Sequence, residues 1–243
     1  MFFLMPLVPI LGVYILAAVL PAIVLLRYIY RYDTVEKEPA DLLIKLLLAG
    51  VLSALCAGIL ESIAHPVLSL LVGEDSPLYT VLFAFLVVAV VEEGTKLFFL
   101  KRNTWRHPDF NYRFDGVVYA VFVSLGFAAY ENIRYVFAYG LSVALPRALL
   151  AIPGHAAFAV YMGVFYGRAK VCRANGDGVG VSYNLWVGYL IAVFLHGFYD
   201  ACAMTGTTGA MLLFVVFVVL MDWRVIRRIK RESALDRPIS DIY

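Results

Sequence analysis

The run Val91-Glu92-Glu93-Gly94-Thr95-Lys96 sets two carboxylates side by side and an ammonium three and four residues after them. On a helix those spacings let Lys96 reach either glutamate. Two adjacent carboxylates in low dielectric do not both ionise easily, so one of them is suited to act as a general base or acid. A structural ion-pair cluster fits the same residues equally well. Glu131 and Arg134, one turn apart, form a second candidate pair, and the local partner favours a structural role for it. His155, in Pro153-Gly154-His155-Ala156-Ala157, reads by itself as a hydrogen-bonded core histidine. His196 and Asp200 stand at i and i+4, where the carboxylate can orient the imidazole or join it as a metal ligand.

Together these groups could hydrolyse a peptide bond, which needs an activated water, a proton donor for the leaving amine and stabilisation of the oxyanion. In a zinc version, neutral His155 and His196 with a carboxylate such as Glu93 hold the metal while another glutamate is the base. In a metal-free version a glutamate and a histidine activate the water. The residues leave both open. Other protease chemistries are excluded by pattern: H-E-x-x-H and G-x-S-x-G are absent from the sequence. A second aspartate to pair with Asp200 is also lacking, since Asp177 falls in a polar loop.

The elements that must position these groups are membrane spans. The chain of 243 residues is 63% hydrophobic and only 16% charged, against about 45–50% and about 25% in soluble domains. Its mean hydropathy is +0.83. Apolar runs of about 20 residues, long enough to cross a bilayer, recur along the chain. They predict a single all-α domain over 1–243, a polytopic transmembrane helix bundle of about seven spans near 3–27, 41–72, 78–100, 115–138, 144–168, 183–204 and 208–224. The second is long enough to tilt, or to break near Pro66. The breaks alternate: basic at Arg27, Arg31 and Lys37, acidic at Glu74 and Asp75, basic from Lys101 to Arg113, uncharged near Gly140, basic at Arg168, Lys170 and Arg173, neutral at Thr205–Gly209, and basic in a short tail from about 224 to 243. The positive-inside rule then puts the N-terminus outside and the C-terminus in the cytoplasm of a multi-pass cell-membrane protein.

A net charge of +2, with most basic residues in the breaks, argues against a nucleic-acid partner. The three cysteines, Cys56, Cys172 and Cys202, match neither a disulfide framework nor a metal-ligand spacing. A charge at the centre of a bilayer costs from about 2.5 to more than 10 kcal/mol, so each ionisable residue in a span needs a partner or a use. If span midpoints share a plane, Glu92, His155 and His196 fall within about 5 Å of it, with Glu131 and Asp200 further out. Glu61 and His65 lie toward the extracytoplasmic end, where a secondary role is expected, and Arg147, beside Pro146, is placed to snorkel to the interface. Gly163 and Gly167 allow close helix approach, by internal packing or dimerisation. An ion- or proton-coupled transporter could use the same buried groups, although repeated halves and paired broken helices are not evident.

The ordered motifs resemble the PrsW family of membrane proteases, more distantly related to CAAX prenyl-protein endopeptidases and bacteriocin-processing enzymes. The resemblance begins at Tyr32-Asp33 and Glu36-Lys37-Glu38-Pro39. It runs through Glu92-Glu93 with Lys96, then Phe114-Asp115-Gly116, Gly126-Phe127 and Glu131-Asn132, and ends with His155, His196 and Asp200. In the prenyl-protein relatives the second motif usually ends in histidine, and Glu131 here favours the PrsW branch. The resemblance implies an intramembrane endopeptidase acting on a membrane-associated protein, such as site-1 cleavage of a single-span anti-sigma factor. It also implies metal dependence. On this reading Glu92, Glu93, Lys96, Glu131 and Asp200 serve catalysis, and His155, His196 and Glu93 hold zinc or water.

Overall fold

In the computed structural model, which describes residues 7–239, the chain is helical almost throughout. The first helix, α1, spans Leu7–Tyr32, and residues 3–6 of the first expected span lie outside the described residues. Helix α2 runs from Ala40 to Val72 without interruption, so of the two expectations, tilt or a break near Pro66, the break does not occur. Most of its outer face is apolar and exposed, with Leu70 at 88%, as suits lipid. Next come α3 (Tyr79–Leu82), a π-helical stretch (Phe83–Ala89) and α4 (Val90–Thr104), one unbroken helical segment about 35–40 Å long. Helix α5 covers Asp115–Tyr139. After a 3₁₀ turn at Leu141–Val143, α6 (Ala144–Leu149) and α7 (Ala151–Ala174) follow, then α8 (Gly178–Thr205) and α9 (Thr208–Ala234).

Among the described residues six helical stretches are long and apolar enough to cross a membrane. The remaining expected span coincides with the segment Tyr79–Thr104, which carries Glu92, Glu93 and Lys96. The fifth span breaks where none was expected, at Leu150 between α6 and α7. Pro153 falls in the first turn of α7, where its missing N–H leaves no helical bond unmade. Helix α9 continues through the basic residues to Ala234, so most of the expected tail is helix.

Helix α5 is the centre of the bundle, packed by α1, α2, α4 and α7. Its close approaches depend on glycine. A Cβ on Gly126 would lie 2.2 Å from the carbonyl oxygen of Leu47, and one on Gly163 would lie 2.6 Å from that of Gly116. The Gly163/Gly167 pair therefore packs internally, against the start of α5.

The four basic breaks meet at one end of the bundle. Asn111 donates to Glu36 at 3.1 Å, Arg113 pairs with Glu232 at 2.9 Å and Lys170 donates to the carbonyl of Trp105 at 3.1 Å. The chain after α9 returns to this end. The Phe114 N–H donates to Asp236 at 2.8 Å, and Ile239 N–H to Asn111 O at 2.7 Å. Beneath them Asp33 and Glu38 are buried, and Tyr119 donates its hydroxyl to Glu38. Loss of hydration pushes Asp33 up to about 6 and Glu38 up to about 7.

Candidate active site

The π-helical stretch leads directly into α4, whose first turn carries Glu92 and Glu93. π-Turns leave carbonyls without their usual helical donors and recur at functional sites. The Tyr189 hydroxyl from α8 donates to Val90 O at 2.9 Å, tying α8 to this junction. Phe85 of the π-helical stretch packs against Gly197, the residue after His196; a Cβ there would come within 2.5 Å of the ring. From the other side Ser124 of α5 donates to the carbonyl of His155 at 2.9 Å and anchors α7. Three helices thus bring their polar residues to one place.

Glu92, Glu93, His155 and His196 each present a ligand atom within 4.8 Å of the others. With Lys96 they are at most 5% exposed. The Lys96 ammonium donates to Glu93 Oε1 at 2.7 Å and Glu92 Oε2 at 3.1 Å, and lies 3.1 Å from His155 Nδ1. The Phe127 ring sits beneath it, 4.0 Å from the nitrogen. On its far side His155 Nε2 meets Glu131 Oε2 at 2.9 Å. His196 Nδ1 meets Glu93 Oε1 at 2.9 Å, while its Nε2 faces Asp200 at 3.3 Å and Glu92 at 3.9 Å. Phe158 stacks on the His196 ring, centroids 4.8 Å apart, and fixes its plane.

The chemistry of this donor set suits a borderline ion such as zinc, with two imidazoles and two carboxylates in mutual reach. Each imidazole has a carboxylate on its outer nitrogen, Glu131 for His155 and Asp200 for His196, the arrangement that orients metal-binding histidines. Glu93 Oε2 is buried without a hydrogen-bond partner among the described residues. Lys96 stands against three of the four donors, so a metal ion there requires the ammonium to withdraw.

All seven residues singled out in the sequence converge, but their pairings differ from expectation. Glu131 pairs with Arg147 at 3.0 Å, whereas Arg134 is exposed. Arg147 therefore does not snorkel; it turns inward, its Nε donating to Asn132 at 2.9 Å and its guanidinium lying over Tyr135. Asn132 in turn donates to Ala18 O at 2.8 Å, linking the network to α1. The sequence offered only a weak signal for Arg147, an arginine inside an apolar run. His65 faces outward near Glu74, while Glu61 lies in the wall described next.

A cavity of about 650 Å³ opens beside the cluster. Glu92, Glu131, His155, His196 and Asp200 line it, whereas Glu93 and Lys96 stand behind them. Its walls extend to Glu61, Tyr139, Met204 and Met211, at the end of the bundle opposite the basic breaks. The volume is that of a ligand-binding cleft.

The profile of the PrsW family intramembrane metalloproteases matches residues 38–223. A protein named Protease PrsW from Geobacillus kaustophilus is 33% identical over 91% of this chain and 93% of its own. Those of the same name from Bacillus subtilis and Clostridioides difficile are each 30% identical, over 90% and 86% of this chain and 95% and 87% of their own. No solved structure matches the chain. The chain belongs to the PrsW family of intramembrane metalloproteases.

Proposed function

We propose that the Glu92/Glu93/His155/His196 cluster is the active centre of this protease and that it cuts a single-span membrane protein, such as an anti-sigma factor, at membrane depth. The observation that carries the reading is the convergence of these buried groups from α4, α7 and α8 on one cavity that opens away from the basic end. With the basic breaks in the cytoplasm, the N-terminus and the cavity mouth lie on the outer side, the position required of a first, extracytoplasmic-side cut.

Glu92 lines the cavity and takes the proton of the attacking water. Lys96, 3.1 Å away, holds that carboxylate in place, and Glu93 holds Lys96 and His196 from behind. The hydroxide adds to the carbonyl carbon of the scissile bond, and His196, which also faces the cavity, stabilises the developing oxyanion. Glu92 then passes its proton to the departing amine. With the Lys96 ammonium withdrawn, His155, His196 and Glu93 would hold a zinc ion, which when bound would polarise the carbonyl and acidify the water.

The reading is tested in proteoliposomes with a single-span reporter carrying a short tail on the outer side. Glu92→Ala, Glu93→Ala, His155→Ala and His196→Ala should each abolish cleavage while the protein stays folded; retained cleavage in the His155 or Glu93 variant contradicts the assignment. Elemental analysis of wild type beside a His155→Ala/His196→Ala double variant decides the metal. About one zinc per chain, lost in the variant, makes the histidines ligands; cleavage with no metal in either assigns water activation to glutamate and histidine alone.

A further inference from the structure

We propose that Glu61, on α2 and outside the motifs that build the cluster, is a substrate-binding residue that accepts a backbone N–H from the unwound segment of the substrate. The inference rests on the cavity being the active-site cleft. Glu61 lines that cavity together with Glu92 and His155. Its Oε1 is shut off from solvent and has no hydrogen-bond partner among the described residues. Arg147, in the same wall, is by contrast paired, its Nη2 3.0 Å from Glu131 Oε2. The cavity is therefore lined by an acceptor that no described residue satisfies.

A buried polar atom left unpaired is destabilising, and its persistence calls for a reason. The substrate provides one. A helix spanning the membrane satisfies its backbone groups internally, and presenting an extended peptide bond for attack frees an N–H and a C=O where water is scarce. The cleft must then supply an acceptor for the N–H, and Glu61 is one. A cationic substrate side chain would also suit a carboxylate, but carrying a lysine or arginine to this depth is costly. A backbone N–H is present in every substrate.

The test uses the single-span reporter in proteoliposomes with wild type, Glu61→Gln and Glu61→Leu, against a proline scan of the residues around the cut. Glu61→Leu should raise KM about tenfold or more with little change in kcat, as leaving a buried substrate N–H without an acceptor implies. Glu61→Gln, which keeps an acceptor oxygen, should stay within about threefold of wild type on the same scale. At one reporter position proline, which deletes the N–H, should raise the wild-type KM by a similar factor and add nothing in Glu61→Leu. Wild-type kinetics in Glu61→Leu, a Gln variant as impaired as Leu, or additive effects at every position would each overturn the proposal while leaving the active-site reading intact. Absence of cleavage by wild type would overturn both.

Discussion

His155 has its two ring nitrogens committed in opposite directions. Facing the Lys96 ammonium, Nδ1 accepts, so Nε2 carries the proton and donates it to Glu131. This fixes the tautomer and turns Nδ1 toward the cluster. Glu131→Leu removes the group that holds the ring, and the expected outcome is a 10- to 100-fold fall in kcat/KM, roughly the effect of deleting such an outer partner. Glu131→Gln, which retains an acceptor, should lose less. Lys96→Met leaves two buried carboxylates without their shared cation; thermal unfolding in detergent should report a loss of about 3–5 kcal/mol. Glu92, Glu93, Lys96, His196 and Asp200 were legible in the sequence because their spacing falls on single helices. The partner of Glu131 was not. Arg134 stands one turn away along α5, but Arg147 reaches Glu131 from α6, and a contact between helices leaves no periodicity to read.

At the scale of the element, the spans were readable as apolar runs between polar breaks, and their irregularities were not. Pro66 was the visible breaker, yet α2 continues through it. The π-helical stretch arises at residues with no special backbone preference, where packing around the cluster decides the local winding. The break at Leu150, by contrast, precedes Pro153, whose ring in an unbroken helix would clash with the Leu149 carbonyl. Close helix approach is the other condition. Gly126→Val would drive a side chain into the Leu47 carbonyl, and no rotamer relieves a Cβ clash with backbone. The expected result is a loss of about 1–3 kcal/mol or more, read as a lowered thermal midpoint, with cleavage falling because α5 carries Glu131. Substitution at Gly209, whose added Cβ meets nothing within 4 Å, serves as the control.

Across the whole molecule the two ends differ in chemistry. One gathers the basic breaks and a buried acidic pair, and the other opens the cavity. The alternation of charge along the chain made this polarity legible, because the same breaks that carry arginine and lysine turn out to touch one another. The acidic pair was visible only as part of a family motif. Asp33 and Glu38 hold their protons more tightly in the folded protein than at their ordinary values of 3.8 and 4.5. The stability they contribute is therefore fully present below about pH 4 and is lost as pH rises through about 6 and 7. Thermal unfolding across pH 4.5–7.5 should show that decline, and Glu38→Gln, neutral throughout yet able to accept from Tyr119, should remove the part of it near pH 7 and leave that of Asp33.

In the proposed mechanism Glu92, at the meeting of the cluster and the cavity, activates the water. Its most direct test is cleavage of the single-span reporter by Glu92→Gln beside wild type in the same proteoliposomes, with the thermal midpoint of each recorded. The account predicts a rate lower by about 10²–10⁴, the usual worth of a positioned general base, with folding retained. A folded Glu92→Gln protein that cuts within a few-fold of wild type would contradict it.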